Sequence, residues 1–123
     1  MRHVDTSLLI DALTGARRSG PALQRWLADG NRLEISTLVV YEYLRGPRTT
    51  EQREFFEHML SAAPMIPFGI EEAGIAAHIY RGVNRARGRE IDLGIAACAL
   101  MRGATLWTLN PRDFSDIPGL NVV

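Results

Sequence analysis

The chain has 123 residues, 46% hydrophobic and 23% charged, which suits one domain with a closed core and excludes a disordered chain. Fourteen acidic residues balance fourteen basic ones, so no global charge draws it to nucleic acid, and every basic residue is an arginine. Lacking lysine, it can build no Schiff base, Walker-type phosphate grip or receiver-type signalling site, and its lone Cys98 supports no disulfide framework or cysteine-based zinc site within one chain.

Arg2 to Val4 reads as a short strand, and Asp5, Thr6 and Ser7 offer capping side chains ahead of Leu8-Leu9-Ile10. Gly15 to Gly20 reads as a loop. Pro21 suits the first position of a helix over Ala22 to Ala28, closed by Gly30. Leu33 to Ile35 is a strand, followed by a helix capped by Ser36 and Thr37 that stops near Gly46-Pro47. Glu51 to Ala62 has amphipathic spacing, with Phe55, Phe56, Met59 and Leu60. Met65 to Pro67 is a strand and Glu71 to Arg85 a long helix. Ile91 to Met101 is an apolar helix, Thr105 to Leu109 the strongest strand, and Leu120 to Val123 a final one. This alternation predicts a three-layer α/β fold, a parallel sheet of four to five short strands flanked by helices, as a single domain over residues 1–123. The longest apolar run, Leu93 to Met101, is about half a membrane span. Asp5 interrupts any signal-peptide core. A cytoplasmic protein with no membrane association is expected.

In parallel sheets reactive groups gather at the carboxyl ends of the strands. Asp5 and Asp113 follow the first strand and the strand Thr105 to Leu109. Glu42 sits in the helix after the second strand, and Asp92 opens the apolar helix whose inward positions are Ile95, Ala96, Ala99 and Leu100. Singly, Asp5 and Asp92 also fit as helix caps; the set of four suggests a cluster. Two carboxylates at ~4 Å repel by about 4 kcal/mol at an effective dielectric of 20, so such a cluster takes up protons or binds a cation. Oxygen ligands without histidine or cysteine select a hard ion, Mg²⁺ or Mn²⁺.

These residues resemble a known family. Val4-Asp5-Thr6-Ser7, Glu42, Ile91-Asp92 before "LGIAACAL", then "TLNPRDF" and "IPGLNV", are similar to a PIN domain, most of all to the VapC toxins of type II toxin–antitoxin pairs, over Val4 to Val122. The resemblance implies a metal-dependent endoribonuclease acting on RNA, restrained by a cognate antitoxin. It further implies a homodimer that joins the antitoxin in a hetero-oligomer. The family's acids map onto Asp5, Glu42, Asp92 and Asp113 as catalytic and metal-binding residues. Its Thr-x-Asn turn maps onto Thr108 and Asn110, and either Asp113 or Asn110 completes the metal site. Thr6 and Ser7 are polar supports.

Arg81, Arg85, Arg87, Arg89 and Arg112 are candidate RNA contacts, because the planar guanidinium suits phosphate. Arg81 and Arg85, one turn apart, are expected to share a helix face. Arg45, one turn after Glu42, is expected to pair with an acid. His3 is expected on the same side of its strand as Asp5. Trp26 and Trp107 read as packing residues, Cys98 as a small buried hydrophobe, and Asp116 as a bystander whose change to Asn is nearly silent. Apolar faces at Val40 to Leu44 and Phe55 to Leu60 favour the homodimer. Two rival functions are a non-catalytic PIN-like module that binds RNA or protein, and a metal hydrolase acting on DNA or a small phosphate ester.

Overall fold

The computed structural model describes residues 1–14, 19–61 and 63–123. Within them, strands β1 (Arg2–Val4), β2 (Leu33–Ser36), β3 (Met65–Ile66) and β4 (Thr105–Trp107) alternate with helices α1 (Thr6–Leu13), α2 (Ser19–Ala28), α3 (Thr37–Arg45), α4 (Thr50–Leu60), α5 (Ile70–Gly82) and α6 (Glu90–Arg102). A 3₁₀ turn, Pro111–Phe114, follows β4. None of these helices is long and apolar enough to cross a membrane. The capping chemistry is visible in the side chains. Ser36 Oγ accepts from Val39 N at 3.3 Å, and Thr49 and Gln52 exchange side-chain and backbone bonds of 3.1 and 3.0 Å ahead of α4.

Every ladder is parallel and the order is β3-β2-β1-β4, so β1 is central. His3 pairs with Glu34 and Val4 with Trp107, and alternation then assigns the two sheet faces. Val4 and Ile35 point to one side. There they line, with Leu9, Leu23 and Met59 from α1, α2 and α4, an apolar cavity of about 460 Å³. On that side the Arg2 guanidinium lies 3.8 Å from the Trp26 ring centre and 4.5 Å from that of Trp107. Both tryptophans therefore pack within the chain.

His3, Glu34, Ser36 and Thr108 point to the other side, toward α6, and all are buried. Glu34 lies between His3 Nδ1 at 3.1 Å and Arg102 Nε at 3.2 Å. Burial pushes its carboxyl up, but the bond and charge of His3, then those of Arg102, leave it below the ordinary value. His3 thus shares Asp5's side of the strand as expected, engaged in a structural ion pair.

α6 is the most deeply buried helix, with Leu93 through Ala99 all inside. Its small residues let it approach α3. A Cβ on Gly94 would lie 2.5 Å from Leu38 Cδ1 and 3.2 Å from Phe68 Cε1. This close approach draws the start of α6, with Asp92, toward the α3 helix that carries Glu42.

Some boundaries differ from expectation. Gly15 to Arg18 of the predicted loop, and Ala62 at the predicted end of α4, lie outside the described residues. Ser19 and Gly20, expected in that loop, begin α2, where Asp11 Oδ2 accepts from Ser19 N at 2.8 Å. α5 ends at Gly82 because Val83 is extended and Arg85 takes a left-handed φ of 55°. Arg81 and Arg85 therefore do not share a helix face. The final strand reduces to one isolated bridge, Leu106 to Val122, since Leu120 N turns back to Ile117 O instead of joining a ladder.

Gly94→Val should force α6 and α3 apart and lower stability by about 1–3 kcal/mol in urea denaturation. Gly74→Ala, in α5 with open space around it, should leave stability unchanged or raise it by about 0.5–1 kcal/mol.

Candidate active site

Asp5 occupies the cap position of α1, yet its side chain makes no capping bond. It points across the sheet end instead. Its Oδ2 accepts from Thr108 Oγ1 at 2.7 Å and from Ser7 Oγ at 3.0 Å, and the residue is only 4% exposed. The capping alternative for Asp5 is thereby removed. Ser7 Oγ and Thr108 Oγ1 also accept from Leu109 N and Asn110 N at 3.2 and 3.0 Å, so the turn after β4 is tied to the start of α1. Asp5 N donates to Trp107 O at 3.0 Å, which continues the β1–β4 pairing into the site.

Glu42, inside α3, is reached from α1 by Thr6, whose Oγ1 donates to Oε1 at 2.6 Å. Arg45 Nη2 donates to its Oε2 at 3.3 Å, the structural pairing expected for that arginine. Asp92 lies in the first turn of α6. Burial pushes its carboxyl up to about 6, reinforced by repulsion from Asp5, Glu42 and Asp113, with Arg89 pulling weakly the other way. Asp113 is exposed on the 3₁₀ turn, whose cap position is Asn110. The fold thus brings Asp5, Glu42 and Asp113 within electrostatic reach of Asp92 at the carboxyl end of the sheet.

Among the described residues, no three acidic, histidine or cysteine side chains form a ready-made metal cage. Glu42 is drawn toward Thr6 and Arg45, and Asp5 toward Thr108 and Ser7. The donor set nevertheless suits a hard divalent cation: carboxylate oxygens, with one acid pushed up by burial and then by the other three.

Of the five candidate RNA contacts, Arg81, Arg85, Arg87 and Arg112 are exposed. Arg89 is already engaged: its Nη1 and Nη2 donate to Asp116 Oδ2 and Oδ1 at 2.9 and 2.7 Å. Asp116 is therefore a paired residue and no bystander. The sequence carried no signal for this, because the partners lie 27 positions apart in different loops. Cys98 is buried as expected, and burial, then Glu72 and Glu34, push its thiol up to about 11.

The PIN domain family profile matches residues 3–120. The chain belongs to the PIN domain family. Within it, this PIN domain groups with the VapC ribonucleases. It is 33% identical to ribonuclease VapC1 of Rickettsia felis, covering 98% of this chain and 92% of that protein. It is 30% identical to ribonuclease VapC19 of Mycobacterium tuberculosis, covering 98% and 97%. Among solved structures it is similar to a DNA-bound VapBC from Salmonella typhimurium, with a TM-score of 0.84 and 21% identity over 99% of this chain and 96% of that one. A toxin–antitoxin complex from Klebsiella pneumoniae gives a TM-score of 0.80 and 27% identity over 100% and 96%. The three-layer parallel α/β architecture is thus the fold of the VapC structures.

Asp92→Asn should remove a charge that the metal-free fold disfavours. In the wild type that charge is present above about pH 6 and lost as pH falls. Because the folded carboxyl sits above its unfolded value, its contribution to stability declines as pH rises from the ordinary value of 3.8 to about 6. In the metal-free protein, the melting temperature of Asp92→Asn should exceed that of wild type at pH 7.5, and the gap should narrow as pH falls below about 6 and close near the ordinary carboxyl value of 3.8. Added Mn²⁺ should raise the wild-type melting temperature more than that of the variant.

Proposed function

We propose that this PIN domain is the toxin of a type II toxin–antitoxin pair, a divalent-metal-dependent endoribonuclease that cuts RNA phosphodiester bonds in the cytoplasm. The reading is carried by Asp92, buried and facing Asp5, Glu42 and Asp113 at one sheet end, in a chain about a third identical to ribonucleases over nearly its whole length. Asp5, Glu42, Asp92 and Asp113 would hold Mg²⁺ or Mn²⁺. When bound, the metal supplies an activated water and shields the charge of the scissile phosphate. The protein's own part is positioning. Thr108 and Ser7 fix Asp5, Thr6 fixes Glu42, and the backbone carbonyl of Asn110 accepts from Asp113 N at 3.0 Å in the turn that carries Asp113. Asp92, reluctant to ionise beside three other acids, gains most from a cation. The exposed Arg81, Arg85, Arg87 and Arg112 supply cationic contacts for the flanking phosphates.

A cognate antitoxin is the expected restraint. The negative site attracts cations of either kind, so an antitoxin arginine inserted among the acids would compete with the metal. The homodimer fits the surface of α3 and α5. Tyr41, Ile70 and Tyr80 are exposed there, and Leu38, Phe68, Ala76, Ala77, Tyr80 and Ile91 line an apolar cavity of about 450 Å³.

RNA cleavage by the purified protein should require Mg²⁺ or Mn²⁺ and stop on chelation. Asp5→Asn and Asp92→Asn should each lower kcat by about two to three orders of magnitude while remaining folded. The double variant should be little worse than either single, as for groups that act as a unit. Wild-type cleavage by a folded Asp92→Asn protein would remove the assignment of this site, whereas a folded wild type that cleaves no RNA with metal present would favour a non-catalytic module.

Arg85→Ala and Arg87→Ala should each raise KM with little change in kcat. Each should also flatten the dependence of log affinity on log salt by about one unit. Titrating RNA affinity between low and moderate salt measures this directly.

A further inference from the structure

Arg89 occupies the cap position of α6, three residues before Asp92. Its guanidinium makes four hydrogen bonds to three separate places. Two go to the carboxylate of Asp116, at 2.9 and 2.7 Å. One goes to the backbone carbonyl of Asp113 at 2.8 Å, and one to that of Asn84 at 3.2 Å. Its backbone is engaged too: Arg89 N donates to Ala86 O, and Leu93 N donates to Arg89 O, each at 2.9 Å. One side chain therefore ties the helix that carries Asp92 to the turn that carries Asp113.

Ordinary surface ion pairs contribute little, because two long side chains must be ordered in water. This one differs in kind. The bidentate fork fixes the plane of the guanidinium, and the carbonyl bond then fixes the backbone of Asp113. The anchor on the other side is equally firm, since Phe114 and Ile117, flanking Asp116, are buried at 2% and 4% exposure. The carboxylate of Asp113 itself accepts no hydrogen bond among the described residues, so its place is set by its backbone. With its fork committed to Asp116 and the Asp113 carbonyl, Arg89 is also poorly placed to reach RNA.

We propose that Arg89 and Asp116 form a positioning clamp that sets where Asp113 stands relative to Asp92. Neither residue touches substrate. The clamp rests on the reading above that both acids serve a divalent-metal site. It gives Asp116 a functional role, although it lies beyond the family-like "NPRDF" segment and holds no ligand itself. The clamp acts wholly through another residue's position.

The test uses Asp116→Ala, Asp116→Asn and Arg89→Lys in the full chain, with three readouts. These are Mn²⁺ affinity by calorimetry without RNA, kcat and KM on an RNA oligonucleotide, and amide hydrogen exchange over residues 112–117. Asp116→Ala should weaken Mn²⁺ binding by about tenfold or more and lower kcat by a similar factor, as when a partner that orients a metal ligand is lost. KM should stay within about twofold. Exchange over the turn should quicken. Arg89→Lys keeps the charge but loses the fork, so it should show the same pattern. Asp116→Asn, which keeps one carbonyl acceptor, should fall between. Folded Asp116→Ala with wild-type Mn²⁺ affinity and kcat overturns the clamp. So does a fall in KM at unchanged kcat, which would mean that Asp116 was restraining Arg89 from the RNA. Should Asp116→Ala fail to fold, Asp116→Asn and Arg89→Lys decide by the same criteria. A wild-type protein that binds no Mn²⁺ refutes the metal-site reading, and the clamp then stands or falls on hydrogen exchange alone.

Discussion

Carboxylates gathered at one sheet end repel one another, and the polar framework around them holds them in place against that repulsion. Asp92 registers the cost most directly, being buried and facing Asp5, Glu42 and Asp113. Each of the others is steadied differently. Asp5 has two hydroxyl donors, Glu42 has one hydroxyl and an arginine, and Asp113 is held through its main chain. The hydroxyl donors, Thr6, Ser7 and Thr108, are short side chains on α1 and the β4 turn, which lose little rotamer freedom when they are fixed.

The two sheet faces divide the work of folding and of function. One is a plain apolar layer against α1, α2 and α4. The other carries His3, Glu34, Asp5 and Thr108 beneath α6, so its polar groups must find partners inside the protein. Glu34 does so through His3 and Arg102, and Asp5 through Thr108 and Ser7. Buried charge of this kind is poor evidence of stability. What it does here is set register: His3 opposite Glu34 aligns β1 with β2, and the same register carries Asp5 to the sheet end beside Thr108.

Most of the architecture was legible because it is written in short-range signals. The three-residue strand at Arg2, the Ser36 cap and the apolar run of α6 each reflect local pattern. The acids were legible because strand ends are where a parallel sheet exposes them. What was hidden depends on long-range or conformational facts. No pattern announces that Val83 extends and Arg85 turns left-handed, so α5 was drawn too long. The final strand was lost to a turn bond at Leu120. The pairing of Arg89 with Asp116 needs two loops to meet, which residue spacing does not encode.

The central position of β1 bears on when the acidic site can assemble. In a parallel sheet ordered β3-β2-β1-β4, the first strand waits for the last: Arg2 to Val4 pair with Thr105 to Trp107, and Leu106 in turn bonds Asn121 and Val123. Asp5 cannot meet Thr108 until residue 108 has left the ribosome, and the acids of α6 and the 3₁₀ turn arrive in the same late stretch. A nascent chain therefore holds no assembled acidic site until the turn after β4 has been made, however early its first strand emerges.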